Sequence, residues 1–241
     1  MNIVIVGYGK MGKELEKAAL SRGHHISGIA TENKPLSKKT IQDADAAIDF
    51  TTPDAVLENI SFLIENNIPT IVGTTGWNDH LDEITQQVNS KNGVLVHASN
   101  FSVGVNLFFK LNEQLSELMR EYTDYIPSIQ ETHHTEKLDA PSGTAITLGE
   151  GIIKLDSRYT DWKCPQNKKH VSTQNPILIE AIRKPDVKGT HEITYASTID
   201  TISIQHKAHN REGFALGAIM AAEWAQHKKG IFTMKDVLQL S

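Results

Sequence analysis

The densest chemistry in the chain is the run Glu131-Thr132-His133-His134-Thr135-Glu136-Lys137-Leu138-Asp139-Ala140-Pro141-Ser142-Gly143-Thr144. Carboxylates, imidazoles and an ammonium crowd together just ahead of a helix start. Pro141 suits a first helical turn, and Ser142, Gly143 and Thr144 can offer hydroxyls and backbone N–H groups beside the positive end of the helix. That combination reads as a cradle for a carboxylate. His134 and Lys137 add positive charge, so a small dianion can be neutralised locally. An imidazole such as His133, titrating near neutrality, can deliver a proton where a hydride transfer leaves carbanion character. Glu136 reads as a solvated charge. Zinc is disfavoured, because no H-E-x-x-H and no clustered cysteine accompany the histidines. His24, His25, His80, His170 and His227 read as surface or loop positions.

A second motif lies at the other end of the sequence. Gly7-Tyr8-Gly9-Lys10-Met11-Gly12 fits G-x-G-x-x-G directly after the apolar run Ile3 to Val6 and at the start of a helical pattern. The first glycine permits a tight turn, the second lets a pyrophosphate approach the backbone, and the third lets helix and strand pack closely. Free N–H groups at the helix start then face the anion. Glu32 follows Gly12 by 20 residues, just beyond a second strand, where an acid can accept hydrogen bonds from ribose hydroxyls. Asn33, Lys34, Lys38 and Lys39 come next, so the choice between NADH and NADPH stays open. Asp49-Phe50-Thr51-Thr52-Pro53 and Gly73-Thr74-Thr75-Gly76 end later strands, where they can meet the nicotinamide half or simply form turns.

Positioning these groups requires a scaffold, and the first hundred residues supply one. Strands at Ile3 to Val6, Ile26 to Ala30, Ala46 to Phe50, Pro69 to Gly73 and Val94 to Ala98 alternate with helical patterns at 11–21, 53–65 and 78–90, the rhythm of a parallel sheet. After Asn100 the rhythm changes. A helix from about Val105 to Glu121, a strand from Tyr125 to Glu131 and a helix from Gly143 to Lys154 lead into a polar stretch, Asp156 to Asn175. Segments 177–183, 190–197 and 201–206 then alternate with turn residues, which predicts antiparallel strands. Helices near 211–227 and 234–240 close the chain. The fold class is therefore α/β, a parallel sheet unit followed by a second, α+β unit and a helical tail.

Composition bounds the partners. The 241 residues are 39% hydrophobic and 22% charged, enough to bury a core in one large domain or two small ones. Lys and Arg number 24 against 29 Asp and Glu, a formal charge of −5, and no basic run marks a surface for nucleic acid or anionic membrane. A single cysteine, Cys164, supplies neither an internal disulfide nor a zinc framework, and the reading is cytoplasmic. Nothing approaches a secretory leader or a spanning segment of about 18 apolar residues.

On these motifs the chain resembles the bacterial dihydrodipicolinate reductases. The resemblance includes the glycine turn, Asp49-Phe50-Thr51, Gly73 to Gly76, Asn100-Phe101-Ser102-Val103-Gly104-Val105-Asn106, the histidine segment, and His206-Lys207-Ala208 with Arg211. It implies an NAD(P)H-dependent reductase on the diaminopimelate route to lysine, acting on a cyclic dicarboxylate imine. His133 then matches the general acid, and Lys137 the group that assists protonation and holds substrate. His134, Gly143 and Thr144 match residues that bind the substrate carboxylates, with Ser142 beside them. Gly7, Tyr8, Gly9, Lys10, Met11, Gly12, Glu32, Gly73, Thr74, Thr75, Ala98, Ser99, Asn100 and Phe101 fall on the family's cofactor contacts. The resemblance also implies a Rossmann-type parallel sheet domain with an inserted α+β domain: a dinucleotide-binding domain of residues 1–101 plus 212–241, a substrate-binding and oligomerisation domain of 102–211, and assembly as a homotetramer. Asn33 and Thr52 stand where some members carry arginines. Two other readings remain at this point: a dehydrogenase of a different small acid, and a non-catalytic dinucleotide sensor.

Overall fold

The structure, a computed structural model, describes residues 1–167 and 174–240; His170 lies outside them. The chain divides into two units, Met1–Val103 with Arg211–Ser241, and Gly104–Asn210.

In the first unit, β1 (Asn2–Val6), α1 (Lys10–Ser21), β2 (His25–Ala30), β3 (Ala46–Asp49), α2 (Pro53–Glu65), β4 (Thr70–Val72), α3 (Leu81–Ser90) and β5 (Val94–His97) build a parallel sheet. Its strands run in the order β5-β4-β3-β1-β2. From Ile3 to Val6 strand β1 is apolar and buried, because helices cover both faces of the sheet. Ile3 and Ile5 pack with Leu15, Ala18 and Ala19 of α1, while Val4 and Val6 pack on the opposite face with Ala47 and Leu63. Pro53 starts α2 at the position where a missing N–H costs nothing. Strands β2 and β3 flank β1 on opposite sides, so the crossovers diverge there. Such a switch point opens a crevice at the carboxyl ends of the strands.

The second unit holds α4 (Val103–Met119), β6 (Ile126–His133), α5 (Gly143–Leu155), β7 (Asp161–Lys163), β8 (Pro176–Arg183), β9 (Thr190–Ala196) and β10 (Thr201–Lys207). Its sheet runs β10-β9-β6-β8-β7. The late strands alternate in direction as their turns predict, but β8 and β9 are not neighbours. β9 and β10 are antiparallel, but β8 is parallel to both β6 and β7. β7 and β8 both begin at the end of the sheet from which β6 began, the α5 crossover having returned the chain there after β6. β6 therefore lies between β8 and β9, and the link from β8 to β9 passes over it. The strand β7 falls inside the polar stretch, too short at three residues to show periodicity.

Alternation along these strands buries one face. Ile129, Ile177, Ile179, Ala181, Ile193 and Tyr195 form a core with Leu148 and Ile152 of α5. Toward one end, the same inward rows change from apolar to ionisable, giving Glu131 and His133 on β6 and His191 on β9. The opposite face stays open. Ser128, Gln130, Leu178, Glu180, Glu192 and Thr194 line a shallow hollow of about 300 Å³ on it.

The chain then returns to the first unit through α6 (Glu212–Trp224), β11 (Gly230–Phe232) and α7 (Met234–Val237). Strand β11 adds a sixth parallel strand beside β5, which the sequence pattern does not reveal. Among the described residues, no helix is long and apolar enough to cross a membrane.

Candidate active site

The switch point of the first unit opens into a cavity of about 740 Å³, lined by Gly7, Tyr8, Thr31, Glu32, Asn33 and Thr51 among others. Gly7 has φ +90°, and a Cβ there would lie 2.3 Å from the Phe50 carbonyl oxygen. Only glycine makes this turn without strain. A Cβ on Gly12 would lie 2.3 Å from the Gly7 carbonyl oxygen, so the third glycine seats α1 against the turn. Gly9 differs from both: nothing lies within 4 Å of where its Cβ would be. It caps α1, whose first turn carries no acidic side chain. This is the vacancy and polarity that a dinucleotide pyrophosphate requires. Lys10 and Met11 form the first turn of α1, with Met11 packed on the core.

The other predicted cofactor residues sit at the ends of β4 and β5. Thr74 does not present a free hydroxyl. It donates to Asp49 Oδ1 at 2.8 Å and accepts the Thr51 N–H at 2.7 Å. Asp49, fully buried, also takes Thr51 Oγ1 and Asn59 Nδ2. Burial pushes its carboxyl up, and those hydrogen bonds oppose the rise. Asp49 thus ties the ends of β3 and β4 to α2. A Cβ on Gly73 would strike the Phe50 ring, and Phe101 is buried in the core. Thr75 and Ser99 are exposed; Ala98 and Asn100 are half-buried.

In the second unit, strand register assembles the ionisable cluster. Glu131 pairs with His191, His191 pairs with His206, and His133 pairs with Arg183. Glu131 is the hub and is wholly buried. Its Oε2 accepts the Ser142 N–H at 3.1 Å and lies 3.2 Å from His133 Nδ1. Its Oε1 accepts Arg183 Nη2 at 3.1 Å. Burial alone would push the Glu131 carboxyl up, but His133, the Ser142 N–H and Arg183 outweigh it and hold the carboxyl at about 2. Arg183 also donates to the carbonyls of Lys137 and Asp139, fixing the loop between β6 and α5.

His191 stacks edge-on to His133, with ring centroids 5.1 Å apart. Burial and then the neighbouring His133 pull His191 down to about 4 against the attraction of Glu131, so it is neutral at pH 7. Its Nε2 lies 3.2 Å from Ser142 Oγ. Ser142 is the cap of α5: its hydroxyl accepts the Ala145 N–H at 3.2 Å. Gly143 is exposed, with no atom within 4 Å of a Cβ position, and Thr144 follows it on the first turn. His134 is half-buried beside this loop. Lys137 Nζ binds Asp139 at 2.7 and 2.8 Å rather than pairing with Glu136.

The arrangement joins an imidazole, an ammonium and an open helix start, which is suited to gripping an anion and moving a proton. Glu131, His133 and His191 also bring ligating atoms within 4.8 Å of one another. The Arg183 guanidinium already occupies that carboxylate, so a dication there would have to share it with a fixed positive charge.

Glu131 stood in the sequence without a role, and Arg183 and His191 without notice. Each sits in a strand of ordinary alternation, and only the register across β6, β8 and β9 reveals their convergence.

Comparison with known proteins places both halves of the chain in one family. Residues 1–101 match the family model for the dihydrodipicolinate reductase N-terminus, and residues 104–238 match that for its C-terminus. A 4-hydroxy-tetrahydrodipicolinate reductase of Christiangramia forsetii is 42% identical over 240 residues, covering 99% of this chain and 98% of the relative. Among solved structures, the dipicolinate-bound dihydrodipicolinate reductase from Paenisporosarcina sp. TG-14 shares the fold, with a TM-score of 0.75 at 23% identity over 97% of each chain. An amine dehydrogenase from Mycobacterium smegmatis shares it more distantly, with a TM-score of 0.62 at 8% identity over 97% of this chain and 95% of that one.

Proposed function

The chain belongs to the dihydrodipicolinate reductase family, and from that premise we propose a division of labour between its two units. The protein is a 4-hydroxy-tetrahydrodipicolinate reductase, an NAD(P)H-dependent oxidoreductase of the diaminopimelate route to lysine. The glycine turn and the open space over Gly9 fit the dinucleotide, with Glu32 at its adenosine end. Bound there, the reduced nicotinamide supplies the hydride.

The second unit supplies the rest. Gly143 and Thr144 receive a substrate carboxylate at the start of α5, and His134 and Lys137 balance the remaining charge. His133 holds the proton to be delivered, its Nδ1 side faced by Glu131 and its ring edge by His191. Ser142 serves the cradle from beneath, as the cap. Glu131 acts as a positioning residue, since one carboxylate orients His133 and also anchors the residue that begins the cradle. That double attachment is the observation that carries this reading. Ala98, Ser99, Asn100 and Phe101 are assigned to the cofactor through their backbone and polar atoms, because Phe101 itself is buried.

The open face of the second sheet, with Ile126 and Leu178 exposed on its strands, supports assembly as a homotetramer through that sheet. The cytoplasm is the compartment assigned, in keeping with one buried free cysteine.

The test is an assay of the cyclic imine against simple 2-keto acids, following the absorbance of the reduced nicotinamide. Turnover of the imine alone is the expected result. Turnover of keto acids would favour another dehydrogenase, and dinucleotide binding without turnover of any imine would favour a sensor.

A further inference from the structure

The cavity at the switch point has a charge pattern that the glycine turn alone does not determine. Its ionisable lining among the described residues consists of Tyr8 and two carboxylates, Glu32 and Glu58, with no lysine, arginine or histidine. Among the described residues, neither carboxylate takes part in an ion pair. Glu32 is also held in place. Thr31 and Lys34 exchange backbone hydrogen bonds, N–H to carbonyl, at 2.8 and 3.0 Å, closing a tight turn whose two central residues, Glu32 and Asn33, both line the cavity. Lys34, which closes the turn, does not line the cavity, and neither do Lys38 and Lys39. Glu58 reaches the cavity from α2, on an exposed position of the helix. Pro35, Leu36, Ala55 and Phe62 give the same cavity apolar walls suited to an adenine ring.

We infer that this pocket selects NADH over NADPH by repulsion, with Glu58 acting beside Glu32 as a second specificity determinant. The inference rests on the dinucleotide reading of this pocket and adds its preference. A ribose diol can donate hydrogen bonds to a carboxylate, whereas a 2′-phosphate is a near-dianion that, like the carboxylate, only accepts them, so the two repel. Two unneutralised carboxylates facing that dianion near the surface amount to about 10- to 100-fold in affinity. Discrimination here is a built-in clash with the wrong ligand more than an extra contact to the right one.

Direct binding of NADH and of NADPH to the full chain, followed by calorimetry at low salt, tests this without turnover. NADH is expected to bind at least about tenfold more tightly. Raising ionic strength to about 0.3 M shortens the screening length to well under 10 Å and should narrow the ratio by weakening the repulsion. Glu58→Lys, on an exposed helix position, should narrow it by about tenfold or more, mainly by strengthening NADPH binding. A wild-type ratio under about tenfold, or a ratio that Glu58→Lys leaves where it was, overturns the proposal. If neither dinucleotide binds, the pocket's assignment to a dinucleotide falls first and takes the preference with it, an outcome plainly distinct from equal binding of both.

Discussion

The buried carboxylate of Glu131 accepts the backbone N–H of Ser142 at 3.1 Å, tying the cap of α5 to strand β6 two residues before His133. The proton donor and the anion cradle are thereby referred to one fixed charge. Glu131→Gln removes that charge while keeping the side chain's shape, leaving the Arg183 guanidinium without its buried counter-ion. Breaking such a pair costs about 3 kcal/mol, measurable by urea denaturation at neutral pH. The pH dependence gives the sign. The carboxyl stands at about 2 in the folded chain against 4.5 for a free group. Its stabilisation is therefore complete above about pH 5 and is lost as pH falls through about 2. The glutamine variant should lack this acid loss, and its rate profile against pH should shift as well as fall.

His191 gives a second acid-sensitive term in a different window. It stands at about 4 when folded against 6.5 when free, so the unfolded chain takes up a proton that the folded chain refuses. Stability should fall as pH drops from about 6.5 to about 4, with a slope approaching one proton. His191→Gln should flatten that interval and leave the loss below pH 4 in place. Denaturation midpoints at half-unit pH steps separate the two residues.

Replacing His133 by Ala should lower turnover by about 10²- to 10⁴-fold if it delivers the proton. Dinucleotide affinity should hardly change, because the glycine turn and Glu32 lie in the other unit. Lys137→Ala should lower turnover and also raise KM, since its ammonium contributes to binding as well as to protonation. The Lys137–Asp139 pair is largely a surface interaction, so neither variant should lose more than about 1 kcal/mol of stability through it. Steady-state kinetics with both variants, beside thermal melts, decide the assignment. Wild-type rates in both would remove it.

Where local chemistry determines structure, the sequence is legible. Pro53 to Glu65 reads as a helix with those bounds, because a proline starts it and apolar residues recur at helical spacing on Val56, Ile60, Leu63 and Ile64. The glycine turn reads as a turn because its residue types have few other uses. The neighbours of β8 were not legible, since alternation is the same whichever strand lies alongside, and β6 enters between β8 and β9. The site was half legible for the same reason. His133, Lys137 and Ser142 share one segment and can be related by counting, whereas Arg183 and His191 reach Glu131 from 52 and 60 positions away, through pairing of strands. The strands β7 and β11, at three residues each, carry too little pattern to be seen.

The glycine turn offers a test that separates folding from binding within six residues. At Gly12 an added methyl would sit 2.3 Å from the Gly7 carbonyl oxygen, a backbone atom that cannot give way cheaply. Gly12→Ala should therefore destabilise the first unit by about 2 to 3 kcal/mol and weaken dinucleotide binding as a consequence. At Gly9 the same methyl meets no protein atom, and φ there, at −83°, is negative. Gly9→Ala should change stability by less than about 1 kcal/mol. It should nonetheless cost dinucleotide affinity tenfold or more, because the methyl would occupy the space a pyrophosphate needs. Thermal melts paired with NADH titrations of the two variants read both effects. If Gly9→Ala binds NADH as the parent does, the pyrophosphate lies elsewhere, and the open space above that residue has another explanation.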